Sequence, residues 1–384
     1  MTIHAEQQLE ESKAIIPGAD VSLESIFSGH PANGRSARSS ELPVHIISHG
    51  GVPRWVLPDD TRRALSVLES WKPYRVTSRL QWSAIVGACR LKALSMLPGV
   101  TRETLRCDLS YWHAGIPGFS DSWSIVAYIG NPSPTRTALM FFADALGEVR
   151  AVGKVPIKGE ARTAILNEAS VLRNVHSRFP VAEVLFLDEE QGIAAQSWME
   201  GDNVPLEFTA ERLELLMSFR SESGLVRLSG CRDQLERQTA SLDLPIEPLV
   251  QQRALDLLDV RDELRTCLEH GDFVPWNMRR LKDGRLTLID WEWAVEEGFP
   301  WQDICHYFYL QDYLFQKAAN VWEILTTHPL LSEYRRRFGL SPEAVRGLTV
   351  RYLLRYICVE YAEGDGDKVE FAARKIKEVV EASN

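Results

Sequence analysis

The sequence predicts an α+β chain in two unlike parts: a five-stranded antiparallel sheet, then a mainly helical region, with an extra N-terminal region ahead of both. Three observations predict it. Between Ser122 and Met199, short apolar runs alternate with turn-rich segments, as antiparallel strands do. From Ala210 onward the apolar residues recur mostly at helical spacing. Late in the chain a polar loop, His270-Gly271-Asp272-Phe273-Val274-Pro275-Trp276-Asn277, is followed by the short apolar run Leu288-Ile289, which ends in the carboxylate Asp290.

Composition sets the outer limits. The chain has 384 residues, 45% of them apolar and 25% charged, enough for two or three sizeable cores. A net charge of -10 argues against a general nucleic-acid surface, because phosphate backbones demand clustered Lys and Arg. Cys89, Cys107, Cys231, Cys267, Cys305 and Cys358 are scattered, with neither a CxxC pair nor zinc spacing, and read as reduced thiols in a cytoplasmic protein. No apolar run reaches membrane-spanning length.

In chain order, residues 1–40 are polar and rich in Gly, Ser, Asn and Pro, the pattern of a mobile segment. Residues 41–115 form a mixed N-terminal extension. Leu42 to Leu57 suggests one or two strands around Gly50-Gly51, and Asp59–Trp71 and Arg79–Leu97 suggest helices. The second helix carries Trp82, Arg90 and Lys92, which would also suit contact with a membrane surface through residues 79–97.

Residues 116–200 hold the predicted sheet: Ser122–Ile129, Ala138–Phe142, Val149–Val155, Val181–Asp188 and Gly192–Met199. An amphipathic helix sits between the third and fourth strands, with Ile165, Leu166, Ala169 and Leu172 at helical spacing. Residues 201–384 form the helical part, in which the helix containing Ala254, Leu258, Leu264 and Leu268 is expected to run straight into His270.

The polar loop points to chemistry. Phosphoryl transfer needs a carboxylate to orient or deprotonate the attacking hydroxyl, and an amide oxygen with a second carboxylate to hold magnesium on the phosphates. His270-Gly271-Asp272 with Asn277, and Ile289-Asp290-Trp291-Glu292 after it, resemble the motifs of the aminoglycoside phosphotransferase and choline kinase family. Those small-molecule kinases share the two-lobe protein-kinase-like fold. The resemblance covers about residues 120–380 and makes the sheet an N-lobe and the helices a C-lobe.

The resemblance implies roles residue by residue. Asp272 is the catalytic base, Asn277 and Asp290 hold Mg2+, and ATP or GTP is the phosphoryl donor. Lys154, paired with Glu168, contacts the non-transferred phosphates; Lys158 competes for this place, and the alternation of its strand favours Lys154. Residues 130–137 would lie over the phosphates, where Ser133 and Thr135 offer hydroxyls with Arg136 nearby, although the G-x-G-x-x-G pattern of protein kinases is missing. The backbone from Ser197 to Met199 would hold the adenine. His270 and Asp303 are supports of the catalytic loop.

The implied partner is a hydroxyl of a small molecule, whether aminoglycoside, choline-like or sugar. The glycine-poor loop keeps open an alternative, a non-catalytic nucleotide-binding pseudokinase that senses or scaffolds. A protein kinase is disfavoured, since no Asp-Phe-Gly or Ala-Pro-Glu bounds an activation loop.

Overall fold

The computed structural model describes residues 21–29, 40–70, 73–74, 76–131, 133–315 and 320–382. Most of the segment expected to be mobile, residues 1–40, lies outside the described residues. The chain divides into two compact units, Met1–Asn203 with Arg279–Glu292, and Val204–Met278 with Trp293–Asn384.

An antiparallel sheet organises the first unit. Its strands are β1 (Ser40–His49), β2 (Val52–Pro58), β3 (Val100–Cys107), β4 (Ser124–Ile129), β5 (Thr137–Ala143), β6 (Val149–Pro156), β7 (Val184–Asp188) and β8 (Ile193–Ser197). They lie in the order β3-β1-β2-β4-β5-β6-β8-β7, so the sheet has eight strands rather than the expected five. The extra three come from the N-terminal extension, which pairs with the edge of β4 through Trp55 opposite Tyr128 and Val56 opposite Ala127. Gly50 and Gly51, at φ of 58° and 78°, make the β1–β2 turn; two consecutive positive φ values suit the twist of a two-residue hairpin and favour glycine.

Both faces of this sheet are buried, and side-chain alternation sorts the two cores. Ile125, Ala127 and Ile129 of β4, Met140 and Phe142 of β5, and Ala151 and Val155 of β6 join Trp112 and Phe27 on one side. Val126, Phe141 and Val152 join Trp55, Leu57, Val67 and Leu68 on the other. That second core is closed by α2 (Leu65–Ser70) and α3 (Val76–Arg90), preceded in the chain by α1 (Leu23–Ser28). The helix considered for membrane contact turns Trp82, Ile85 and Val86 inward, and the Trp82 indole donates to the Leu68 carbonyl at 2.9 Å. Leu80 on it and Leu91 just after it remain exposed. Among the described residues no helix is long and apolar enough to cross a membrane.

After α4 (Ser110–Gly115), the helix α5 (Gly159–Val175) lies in sequence between β6 and β7 and buries Ala161, Ile165, Glu168, Ala169 and Leu172. A small sheet completes the unit, β9 (Asp202–Asn203), β12 (Met278–Arg280) and β13 (Leu286–Leu288), in the order β13-β12-β9.

The second unit is mainly helical, with α6 (Ala210–Ser218), α7 (Arg232–Ala240), α8 (Pro248–Asp256), α9 (Gln302–Phe315), α10 (Val321–Thr327), α11 (Pro329–Phe338), α12 (Pro342–Glu363) and α13 (Gly366–Glu381). It corrects one expectation. No helix runs into His270: α8 stops at Asp256, and Glu263–Glu269 is a strand, β11. Leu264 and Leu268 fit a helical period, but β11 is a mostly buried strand paired on both sides, by β10 (Arg220–Arg227) and β14 (Val295–Gly298), and that pairing overrides a short apolar period. The run Asp259-Val260-Arg261-Asp262 between α8 and β11 is where the helical pattern fails.

Trp112 is fully buried and its indole donates to the Phe27 carbonyl at 2.8 Å, tying α4 to α1 under the sheet. Trp112→Ala is expected to cost about 3–5 kcal/mol, the range for truncating a buried large aromatic. Denaturant unfolding measures it, and a loss below about 1 kcal/mol would contradict this core.

Candidate functional site

In the first unit a buried ammonium gathers two carboxylates. Pleat alternation puts Lys154 on the same face of β6 as Val152, and α5 brings Glu168 to it. Lys154 Nζ lies 2.7 Å from Glu168 Oε2 and 2.7 Å from Asp290 Oδ1. The Lys154 side chain is 7% exposed and Glu168 3%, whereas Asp290 is 37% exposed. Burial alone would push the lysine pKa down, but Asp290 and then Glu168 outweigh it, so the pKa is raised and the charge is kept.

The same helix fixes the segment that carries Asp290. Glu168 Oε1 accepts the Trp291 N–H at 3.2 Å, and the Asn167 amide donates to the Glu292 carbonyl at 3.0 Å. Asp290 itself sits at a φ of 70°, in the left-handed region that a non-glycine residue enters at a cost of about 1 kcal/mol or more. Such strain persists where the surroundings hold it.

The second unit holds the loop after β11. Gly271 has a φ of 83°, and a Cβ there would run into the Trp293 backbone, so only glycine fits between His270 and Asp272. Asp303, in the first turn of α9, accepts the His270 N–H at 2.8 Å and the Gly271 N–H at 3.0 Å. The His270 ring accepts the Asp272 N–H through Nδ1 at 3.2 Å. Burial, and behind it the Glu269 carboxylate, push the Asp303 pKa up to about 7 against the pull of these two donors.

Asp272 is held at both oxygens. Its Oδ2 accepts the Asn277 amide at 2.7 Å, and its Oδ1 lies 2.7 Å from His306 Nε2. The Asn277 amide nitrogen also donates to the Asp272 carbonyl at 3.1 Å, which leaves the amide oxygen as the acceptor end of that side chain. The other His306 nitrogen, Nδ1, meets the Tyr352 hydroxyl of α12 at 3.1 Å. Burial favours the neutral acid at Asp272, but the hydrogen bond from His306, the imidazoles of His306 and His270 and the Asn277 amide outweigh it. The Asp272 carboxyl is therefore held below the usual carboxylate value.

The remaining candidates lie in the first unit. Ser133 and Thr135 sit in the β4–β5 loop with hydroxyls 3.5 Å apart. At the end of β8, the Ser197 N–H donates to the Glu183 carbonyl at 2.8 Å and its hydroxyl oxygen accepts the Glu183 N–H at 2.9 Å, so the backbone N–H of Ser197 is taken by Glu183. Met199 follows β8 and is half-buried. As for metals, no group of three His, Cys, Asp or Glu side chains among the described residues could hold an ion. The Asp290 carboxylate and the Asn277 amide oxygen are hard donors of the type magnesium takes alongside phosphate and water.

The chain is similar to solved small-molecule phosphotransferases. One is a thermostable mutant of aminoglycoside phosphotransferase APH(4)-Ia, 17% identical, with a TM-score of 0.46 over 67% of this chain and 94% of that one. A second is the choline kinase LicA from Streptococcus pneumoniae, at 16% identity and TM-score 0.45, covering 65% of this chain and 91% of that one. A third is the macrolide 2'-phosphotransferase MphH from Brachybacterium faecium, at 15% identity and TM-score 0.47, covering 72% and 98%. Another solved structure of the first protein is a ternary complex with ADP and hygromycin B. No protein-family model and no curated protein matches the chain. The likeness is one of fold.

Sequence reasoning missed His306 and Tyr352. The signal for His306 was present: it follows Asp303 by three residues, and that spacing on a helix puts both on one face. Tyr352 lies 46 residues further on, and nothing local marks it.

The Asp303 carboxyl gives a pH prediction. The folded chain binds this proton more tightly than the unfolded chain, so the stability it lends is complete below about pH 4 and is lost as pH rises through about 7. Unfolding free energy of the wild type should fall across that window more steeply than that of Asp303→Asn. Equal slopes would show that Asp303 is ionised throughout.

Proposed function

We propose that the chain is a nucleotide-dependent small-molecule kinase that moves the γ-phosphoryl group of ATP or GTP to a hydroxyl. The observation that carries this reading is the buried Lys154 ammonium, held at 2.7 Å by both Glu168 and Asp290. A fixed, always-charged lysine on a strand, braced by a helix glutamate, suits the non-transferred phosphates of a nucleotide. A purely structural ion pair has less use for a second, partly exposed carboxylate set in a strained conformation.

Asp272 is the proposed catalytic base. Its lowered pKa keeps it ionised at neutral pH, able to accept a hydrogen bond from the incoming hydroxyl and, late in a loose transition state, its proton. His306 and Asn277 hold the carboxylate at one oxygen each, so its direction is set before an acceptor arrives. Asp290 and the Asn277 oxygen are the proposed magnesium ligands. Bound magnesium would neutralise charge developing on the phosphates. Ser133, Thr135 and the backbone near Met199 are the proposed nucleotide contacts, with the Ser197 N–H already spent on Glu183. His270 and Asp303 hold the loop through backbone bonds. The residue boundaries 116–200 and 201–384 are proposed as nucleotide lobe and catalytic lobe, and the acceptor as a small alcohol such as an aminoglycoside, a choline-like compound or a sugar.

Purified protein with ATP or GTP, magnesium and a panel of aminoglycosides, macrolides, choline, ethanolamine and simple sugars tests the reading. Asp272→Ala is expected to lower kcat by about 10²–10⁴, the usual worth of a positioned general base, with nucleotide affinity unchanged. Nucleotide binding without turnover on any acceptor, in wild type and variant alike, would favour the pseudokinase instead. His306→Phe removes the donor that lowers the Asp272 pKa, so the acid limb of kcat should move to higher pH. His306→Gln, which keeps an N–H donor, should move it less. An acid limb unmoved by either variant would rule His306 out as the group that sets Asp272.

A further inference from the structure

The N-terminal extension has no place in the chemistry above, and the glycine-poor β4–β5 loop has no usual means of receiving phosphates. One residue joins the two. Arg54 lies on β2, and the pairing of Trp55 with Tyr128 sets it beside the end of β4, where that loop begins. Its Nη1 donates to the Gly130 carbonyl at 2.9 Å, and its Nη2 to the Tyr128 hydroxyl at 3.1 Å and to Asn131 Oδ1 at 2.5 Å. These bonds use three of the five guanidinium N–H groups, and among the described residues none goes to a carboxylate.

A second guanidinium meets the same atom. Arg136, at the far end of the loop, donates through Nε to the Gly130 carbonyl at 3.0 Å. Its backbone carbonyl accepts the Ile157 N–H at 2.9 Å, so it also anchors the loop to the end of β6. Arg136 is 2% exposed, and its pKa is lowered by burial and then by the charge of Arg54. Two cations therefore converge on one carbonyl oxygen, in the loop that also carries Ser133 and Thr135. Two strands over, Leu139 of β5 pairs with Lys154 of β6. An anion set against both guanidinium groups would lower the repulsion between them.

We infer that the extension supplies Arg54 as a phosphate-binding residue of the nucleotide site, acting with Arg136 where other kinases use glycine-rich backbone. The ligand class is the phosphate chain of a nucleoside triphosphate. The inference rests on the nucleotide-dependent reading above. It goes beyond that reading in giving residues 40–107, which add β1–β3 to the sheet, a part in binding.

Binding of adenosine, ADP, ATP and inorganic triphosphate to the full chain with magnesium, by calorimetry, tests it. Arg54→Met is expected to weaken ATP and triphosphate by about tenfold or more, the worth of a charge-assisted contact, while adenosine affinity stays unchanged. Arg54→Lys keeps the charge without the fork and should fall between, which also guards against a Met variant that does not fold. Equal weakening of adenosine and ATP would overturn the inference and make Arg54 a brace of the loop. Wild-type affinity for ATP and triphosphate in both variants would overturn it outright. A wild type that binds triphosphate but no adenosine or ATP would sink the nucleotide reading and keep the anion site; one that binds none of them would sink both.

Discussion

A lysine charge taken out of water sets the terms for the first unit. Lys154 is nearly fully buried, and an isolated ammonium there would lose its proton or unfold its surroundings. Two carboxylates at 2.7 Å prevent that, and each belongs to a different part of the fold: Glu168 to α5, Asp290 to the segment after β13. Glu168 does double duty, since its other oxygen accepts the Trp291 N–H. The position of α5 on the sheet, the path of residues 290–292 and the charge of Lys154 thus depend on one another. Removing Lys154 or Glu168 leaves the other as a buried charge without its nearest buried partner, which costs more than the intact pair contributes.

In the second unit, two carboxylates near one loop are pushed in opposite directions. Asp303 receives two backbone N–H bonds yet rises to about 7, because it is buried and faces Glu269. Asp272 is lowered, because imidazoles and an amide surround it. Environments that separate two like groups in this way divide their tasks. Asp303 holds backbone and has no need to stay ionised across the pH range. Asp272 does, in the proposed reaction, and its partners His306 and Asn277 come from α9 and from the loop itself, so α9 supports the loop and orients its carboxylate at once.

The strands from Ser124 to Ser197 were legible as short apolar runs between turn-rich segments, helix α5 by its amphipathic period, and the Gly50-Gly51 turn by composition. Gly271 was legible only as part of the His270-Gly271-Asp272 motif, and the close approach of Trp293 that requires glycine there was not. Two kinds of feature were not. The sequence suggests one or two strands and two helices in the extension and does not show β3; that β2 pairs with β4 is a long-range fact, seen in the match of Trp55 to Tyr128 and not in any local pattern. β11 was hidden for the opposite reason. Leu264 and Leu268 are four apart, which reads as a helix, while its true register is set by partners in β10 and β14 far away in sequence. The candidate site divides along the same line. Lys154, Glu168, Asp272, Asn277 and Asp290 stand in motif spacing. Arg54 and Tyr352 reach their places only through tertiary pairing, and His306, although three residues after Asp303, matters only because α9 runs past Asp272.

The two partners of Lys154 differ in what giving one up would cost. Glu168 is 3% exposed and also carries the Trp291 bond, so breaking its ion pair would strand a charge in the interior and free a backbone donor. Asp290 is 37% exposed, so water can take over part of its solvation, and a phosphate oxygen can replace it beside the ammonium with no loss of counter-charge. Relief of the positive φ at Asp290 would add to the exchange if the segment relaxes as the contact opens. The asymmetry therefore fixes an order. In the proposed reaction Lys154 keeps Glu168 throughout and releases Asp290, and the carboxylate thus freed is the one that the nucleotide's metal would need.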